Sequence, residues 1–143
     1  AAADPGGVRV LVIHHPLINP AGGEGGAPMP GAKRILKHIE AMDVDLVLGG
    51  HMHMTHIASS RDLIPGEGSG VPLITSGTTT SRRGRGVETR RNSTNMVEVL
   101  HDRINVTPHF FESRGTAFEP GDMIVVARPG MPEPVPQAGR GRT

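Results

Sequence analysis

Apolar residues in the first third of the chain form two nearly continuous runs with a helix-spaced segment between them. Residues 8–13 (VRVLVI) and 44–48 (VDLVL) are short and rich in β-branched side chains, which predicts strands that are covered on both faces. Apolar side chains recur at helical spacing in the segment between them: Ala32, Ile35, Leu36, Ile39 and Met42. A helix is therefore predicted to begin near Gly31, and the order strand, helix, strand predicts a βαβ unit with parallel strands.

The second half of the chain has a different hydrophobic pattern, in which Gly-rich or charged turns separate short apolar segments. Strands are predicted at residues 55–59, 72–76, 94–100, 103–107 and 123–127. Several of them alternate apolar and polar side chains, which is typical of antiparallel strands, and His101 and Asp102 are predicted to form a hairpin turn. From residue 128 onward Pro and Gly replace apolar periodicity, so residues 1–127 are predicted to belong to the folded domain and residues 128–143 to a disordered tail.

Composition changes this picture by suggesting that the domain is incomplete. The 143 residues suffice for one domain, but 20 Gly, 13 Pro and only three aromatic residues, all Phe, predict a thin core. The chain also begins with AAADPGG, without an initiating Met, which reads as a loop that leads into a strand. Both observations predict that part of the domain is absent from this sequence. The lack of Cys excludes disulfides, thiolate metal ligands and Cys nucleophiles.

Charge and hydropathy narrow the expected location and partners. The formal net charge of +1 does not indicate a polyanion-binding protein. No apolar run approaches the ~18 residues that cross a bilayer, and the N-terminus lacks the features of a signal peptide, so a cytoplasmic protein without membrane contact is expected. Residues 81–91 (SRRGRGVETRR) hold five Arg, which is one way to contact nucleic acid. Because no aromatic residue lies nearby to stack on bases, a solvated hairpin turn is favoured, with one Arg that steers an anionic substrate as an open alternative.

Three histidines follow the two predicted parallel strands at their carboxyl ends. His14 ends the first strand, and His51 and His53 follow the second. Ligand crevices of open α/β sheets lie outside the carboxyl ends of strands, so neighbouring strands would bring these imidazoles into one crevice. Residues i and i+2 of an extended segment point to the same side, and Gly49 and Gly50 permit a sharp turn before them. A metal site is predicted here, and imidazole suits Zn, Fe, Mn, Co or Ni.

The remaining histidines are interpreted as structural. His38 falls on the polar side of the predicted helix, and His101 and His109 lie in the second half of the chain, away from these strand ends. His56 is an alternative fourth ligand, but it stands three residues beyond His53 where the chain enters another strand. It is therefore interpreted as a structural residue or as one that supports the ligands.

The ordered series of these features resembles the last two motifs of calcineurin-like metallophosphoesterases. In that family a strand ends in a ligand His followed by one residue and Pro, as in VIHHP at residues 12–16, and the next parallel strand ends in Gly-His-x-His, as at residues 50–53. Residues 72–81 and 92–99 resemble the Gly-Thr strand and the Asn-containing strand of the bacterial phosphodiesterase-like members. The resemblance covers roughly residues 8–112 and implies the C-terminal half of a four-layer αββα sandwich.

The resemblance also implies roles for individual residues. It assigns His14 and His51 to one metal ion and His53 to a second, and it makes His15 a residue that supports a ligand or faces the substrate. His14 is preferred to His15 as the ligand because the family's His stands two positions before the Pro. The implied activity is hydrolysis of a small phosphodiester or phosphomonoester, with two divalent or trivalent ions of the Mn, Fe or Zn class that activate water and polarise the phosphoryl group.

The sequence departs from the family in its missing carboxylates. The earlier motifs Asp-x-His and Asn-His are absent, and the Gly-Asp at residues 121–122 follows the His motifs instead of preceding them. Because three histidines contribute no negative charge, the isolated chain is expected to hold two metal ions poorly and to be inactive. The missing N-terminal half of the domain is its expected partner. A non-catalytic binding module with a residual histidine metal site, or an inert fragment, is the alternative interpretation.

Overall fold

A computed structural model describes residues 7–20, 29–66, 68–81, 83–112 and 114–132. Over these residues the chain forms an α-helix and two sheets, whose elements are β1 (Val10–Val12), α1 (Ala32–Ala41), β2 (Leu46–Gly49), β3 (His56–Ser59), β4 (Pro72–Thr75), β5 (Asn92–Val99), β6 (Arg103–Phe111), β7 (Glu119–Pro120) and β8 (Ile124–Ala127). Single turns of 3₁₀ helix lie at Ser60–Asp62 and Gly86–Glu88. The mixed α/β class predicted from the sequence is confirmed.

The first sheet has the strand order β1-β2-β4-β3 and contains the predicted βαβ unit. β1 and β2 pair in parallel with Val10 opposite Leu46, and β4 continues the parallel set on the other side of β2. β3 pairs with β4 in the antiparallel direction. All four residues of β4 are buried, as expected of an interior strand that is covered on both faces. Not every strand of the second half is therefore antiparallel to its neighbours, since β4 pairs with β2 in parallel.

The second sheet is antiparallel and is built around β6. β5 and β6 form the predicted hairpin, in which the Leu100 amide donates to the Arg103 carbonyl at 2.8 Å across His101 and Asp102. β7 and β8 both pair with β6, at different parts of its length. β6 continues to Phe111, four residues beyond the predicted end at Thr107, and β7 was not predicted.

The helix covers one face of the first sheet. Gly31 caps its N-terminus with φ of 78°, a left-handed conformation that glycine adopts without steric cost. The buried residues of α1, which are Ala32, Leu36 and Ile39, pack with Val47 and Leu73 of the sheet. The predicted start near Gly31 is thus confirmed, and so is the apolar face except at Met42, which follows the helix and is 55% exposed.

The second sheet covers the opposite face of the first. Leu46 and Ile74 of the first sheet form a fully buried cluster with Ile104 and Val106 of the second. The described residues therefore make three layers in the order helix, sheet, sheet. No helix among them is long or apolar enough to cross a membrane.

The layer between the sheets is open at β1. Val10 and Val12 align with Leu46 and Leu48, which face the second sheet, yet they are 45% and 73% exposed. The described part of the second sheet does not extend over this edge strand. The prediction that residues 8–13 are covered on both faces is therefore wrong, whereas Leu46 and Val47 in the other predicted run are buried.

The start of the predicted tail makes contacts with the domain. The Arg128 guanidinium forms an ion pair with Asp45, and the Gly130 amide donates to the Ser69 carbonyl at 2.8 Å. Residues 133–143 lie outside the described residues, so disorder in the tail remains a prediction. Residues 21–28, between the first predicted strand and the helix, lie outside them as well.

Candidate metal centre

Three imidazole rings come together where β1 and β2 end. The ring centroids of His14 and His15 lie 5.2 Å apart, those of His14 and His51 also 5.2 Å, and those of His15 and His51 4.6 Å. The closest ring nitrogens are His14 Nε2 and His51 Nδ1, at 3.3 Å. All three residues are exposed, so the cluster is open to ligands from solution.

Strand pairing explains why residues 37 positions apart meet here. β1 and β2 run in parallel and in register to Val12 and Leu48, and the Ile13 amide donates to the Leu48 carbonyl at 2.9 Å. The Gly50 amide then donates to the His14 carbonyl at 3.3 Å, which ties the two strand ends together. The sheet therefore fixes the backbone beneath the His14 and His51 rings.

The segment that carries His51 and His53 is folded, not extended. His51 has φ of 70° and His53 has φ of 56°, a left-handed conformation that costs an L-residue about 1–2 kcal/mol. Between them Met52 is completely buried, and its amide donates to the Gly50 carbonyl at 2.8 Å. The argument that an extended segment directs both rings to one side is therefore wrong. Strained backbone of this kind is concentrated at functional sites, so the conformation of this loop is a second indication that it belongs to a binding or catalytic site.

His53 lies beside the ring cluster but outside it. No ring contact joins His53 to the other described histidines, although its charge acts on His51. The His53 carbonyl accepts a hydrogen bond from the Arg85 amide at 3.0 Å. The structure thus brings together His14, His15 and His51, and of the three predicted ligands His53 is the one that it leaves apart.

The electrostatic environment of His51 is cationic. Desolvation by its neighbours lowers the pKa of the exposed His51, and the positive charges of His15, His14, Arg85 and His53 lower it further. A lowered pKa favours the neutral imidazole, which is the form that binds metal ions. Every charged group that shifts this pKa is positive, which favours an anionic ligand near His51.

The nitrogen positions fit part of a metal site. A tetrahedral ion with metal–nitrogen bonds of about 2.0–2.1 Å places two ligand nitrogens about 3.3 Å apart. This matches the 3.3 Å between His14 Nε2 and His51 Nδ1, the pair assigned to one ion. Across the described ranges, no group of three or more His, Asp or Glu residues is arranged to hold a metal ion. The pair fits as two ligands, and the others must come from elsewhere.

A buried carboxylate that the sequence analysis did not select lies behind the loop. Glu88 is 2% exposed, accepts a hydrogen bond from the Thr55 amide at 2.7 Å, and accepts another from the buried Ser93 hydroxyl. The available signal was that Glu88 is the single acid in an Arg-rich segment. Because both carboxylate oxygens accept protein hydrogen bonds, Glu88 positions the backbone that follows His53.

A half-buried amide, that of Asn95, connects the two sheets next to Thr55. Asn95 of β5 donates to the Thr75 carbonyl at 3.2 Å and to the Ser76 hydroxyl at 3.1 Å. Its oxygen accepts from the Thr55 hydroxyl at 3.3 Å. These contacts give Asn95 a structural function on this side of the loop.

The other histidines stand apart from the ring cluster. His38 and His101 are exposed, and His109 Nδ1 lies 3.0 Å from the Thr107 carbonyl oxygen. His56 Nε2 is buried without a hydrogen-bond partner, beside a cavity of about 10 Å³ that His15 and Thr75 also line. Such a space holds about one water molecule. Burial lowers the pKa of His56 and the charge of Asp62 raises it, with burial the stronger cause.

Comparisons with known proteins give similarity to solved structures only. No protein-family model matches the chain, and no curated protein sequence does. A double mutant of Vps29 from Entamoeba histolytica is similar with a TM-score of 0.42 and 17% identity, over 73% of this chain and 52% of that one. Wild-type Vps29 of the same organism, complexed with Zn²⁺, is similar with a TM-score of 0.40 and 16% identity, over 69% and 47%. The chain spans about half the length of these structures.

Proposed function

We propose that this chain provides the histidine half of a metal-dependent phosphoesterase site, and that another polypeptide segment provides the carboxylates. The observation that carries the proposal is the 3.3 Å separation of His14 Nε2 and His51 Nδ1 at the carboxyl ends of two parallel strands. In the proposed site these two residues bind one metal ion, and His53 binds a second. The substrate is a small phosphodiester or phosphomonoester.

Each histidine has a distinct part in this proposal. When bound, the two ions would lower the pKa of water and polarise the phosphoryl oxygens. His14 and His51 would hold the first ion through the facing nitrogens, and this supports the choice of His14 over His15 as the ligand. His15 packs against both rings and is exposed, which suits a residue that faces the substrate.

The open edge of the sheet supports the proposed partner segment. β1 is an edge strand, and it leaves Val10 and Val12 uncovered on the face that is buried in its neighbour β2. A further strand that paired with β1 in parallel would end next to His14, because parallel strands end at one edge of a sheet. The missing N-terminal half of a phosphoesterase domain would bring its carboxylates to this place.

A non-catalytic metal-binding module is the second candidate. It is favoured by the absence of a third ligand near the His14–His51 pair in the described part of the chain. In this case the two imidazoles bind a metal ion weakly and hydrolyse nothing. The two candidates differ in whether a carboxylate-bearing segment restores activity.

Metal binding by the 143-residue chain tests the site directly. We expect Zn²⁺ or Mn²⁺ to bind weakly in isothermal titration, and we expect binding to be lost in His14→Ala and His51→Ala. His38→Ala, which changes an exposed histidine of the helix, should bind like the wild type. Unchanged metal affinity in both site variants would refute the assignment.

Hydrolysis of a chromogenic phosphodiester tests whether the chain needs carboxylates from another segment to be active. We expect no turnover by the chain alone at saturating metal, because no carboxylate of the described residues joins the histidines in a group that could hold metal ions. Turnover that requires His51 would show that the described residues suffice. Turnover restored by a carboxylate-bearing partner segment would favour the enzyme over the binding module.

A further inference from the structure

We propose that Arg85 is the anion-recognition residue of the histidine centre, where its guanidinium binds the non-bridging oxygens of the substrate's phosphate group. This inference rests on the proposed function and names a specificity-determining residue for it. It resolves the open alternative for the Arg-rich segment, in which one of five arginines steers an anionic substrate.

The backbone of Arg85 is fixed against the histidine loop. Its amide donates to the His53 carbonyl at 3.0 Å, and its carbonyl accepts from the Glu88 amide at 2.9 Å. Glu88 in turn accepts from the Thr55 amide at 2.7 Å. Two hydrogen bonds therefore clip the Arg85–Glu88 turn to residues 53–55, and neither involves the Arg85 side chain.

The Arg85 side chain has no internal partner. Arg85 is exposed, and its guanidinium forms no ion pair with a described residue. Some other arginines of the described chain pair with carboxylates, as Arg91 does with Glu112 and Arg103 does with Asp102. The backbone of Arg85, by contrast, is held in place, while its planar guanidinium group is unpaired among the described residues. Two of its N–H groups can therefore donate to two oxygens of one phosphate.

Backbone contacts distinguish Arg85 from the other exposed arginines of its segment. The Arg85 amide donates to the His53 carbonyl, whereas the Arg83 amide donates to the Ser81 hydroxyl at 3.4 Å. Among the described residues, neither Arg83 nor Arg90 forms a hydrogen bond with the loop that carries His51 and His53. Arg85 therefore lies beside the histidine centre, where its positive charge favours an anionic ligand.

Phosphate titration of the full 143-residue chain tests the inference. Inorganic phosphate is added at constant ionic strength, with and without Zn²⁺, while imidazole signals are followed by NMR spectroscopy. We expect phosphate to shift the His51 signals, and we expect Arg85→Gln to weaken binding about tenfold, the effect of losing one charge-assisted bidentate contact. Arg85→Lys should lose less phosphate affinity, because the ammonium group keeps the positive charge but cannot make the bidentate contact.

Arg90→Gln is the matched control, because it removes the same charge from an exposed position of the same segment. It should bind phosphate like the wild type. Equal phosphate affinity in Arg85→Gln and the wild type would overturn the inference, as would equal weakening by Arg90→Gln or no binding to the wild type under either condition. Zn²⁺ affinity, measured separately, should be the same in Arg85→Gln and the wild type. A wild-type chain that does not bind Zn²⁺ would instead count against the proposed function.

Discussion

Glu40, near the end of α1, shows how a single side chain fixes the loop that precedes β4. Its carboxylate accepts hydrogen bonds from the Ser60 hydroxyl and from both the amide and the hydroxyl of Ser69, the last two at 2.5 and 2.6 Å. The Val71 amide adds a longer contact at 3.5 Å. Burial alone raises the pKa of Glu40, but these hydrogen bonds together lower it below its usual value.

Replacing Glu40 by Gln should destabilise the chain by about 1–3 kcal/mol at neutral pH, because buried donors lose a charged acceptor. A lowered folded-state pKa means that the charged form stabilises the fold above pH 4.5 and that this contribution is lost as the pH falls below it. Urea unfolding at several pH values should therefore show a weaker acid dependence in Glu40→Gln. Glu119→Gln, at an exposed position of β7, is the control. Equal effects of the two substitutions would contradict this role for Glu40.

Individual site residues were predictable only where the strand pattern placed them. His14 and His51 follow recognisable strands, and parallel pairing alone brings their rings together. The left-handed backbone at His51 and His53 has no such pattern, because it depends on how the buried Met52 anchors the loop. Glu88 was missed because its burial comes from long-range contacts with Thr55 and Ser93.

At the scale of elements, the Arg85–Glu88 turn acts as a clamp on the histidine loop. Thr55 and Ser93 donate to different oxygens of the same Glu88 carboxylate, so this side chain links the loop after β2 to the start of β5. Gly84 lies so close to the turn that an added Cβ would stand 2.0 Å from the Glu88 carbonyl oxygen. The turn is therefore packed tightly in spite of its charged sequence.

Replacing Glu88 by Ala should loosen this clamp. The Thr55 amide and the Ser93 hydroxyl would lose their acceptor, at a cost of about 2–4 kcal/mol for two buried donors. Hydrogen exchange of the Thr55 amide should accelerate, and the affinity for Zn²⁺ should fall because the loop that carries the ligands is less ordered. Glu98→Ala, which removes an exposed carboxylate of β5, should change neither quantity. Unchanged exchange at Thr55 in Glu88→Ala would show that the clamp is not needed.

Element types were more predictable than their pairing. The helix and the β5–β6 hairpin follow from local periodicity and turn residues, although β6 runs four residues beyond its predicted end. The pairing of β4 with β2 instead joins residues that are 26 apart in sequence at Val47 and Leu73. No local pattern specifies such a partner, because a short buried strand has the same apolar sequence pattern in parallel and antiparallel sheets.

At the scale of the whole molecule, the exposed side of β1 is where the fold departs from a closed core. Val12 is 73% exposed although Leu48, its partner in the next strand, packs between the sheets. In the sequence, β1 and β2 are equally apolar runs. Which of the two lies at an open edge depends on the lateral extent of the second sheet, and that is a property of the assembled layers.

An open apolar edge strand makes the isolated chain prone to self-association. We expect sedimentation velocity to show concentration-dependent association of the wild-type chain, and Val12→Lys to reduce it, because a charge on an edge strand disfavours pairing with another chain. The free energy of unfolding should change by less than about 0.5 kcal/mol, since the Val12 side chain is mostly exposed. Met96→Lys is the control, as Met96 is 59% exposed on β5, away from this edge. A wild-type chain that stays monomeric, or equal reductions in both variants, would contradict the view that β1 is the surface that a partner segment covers.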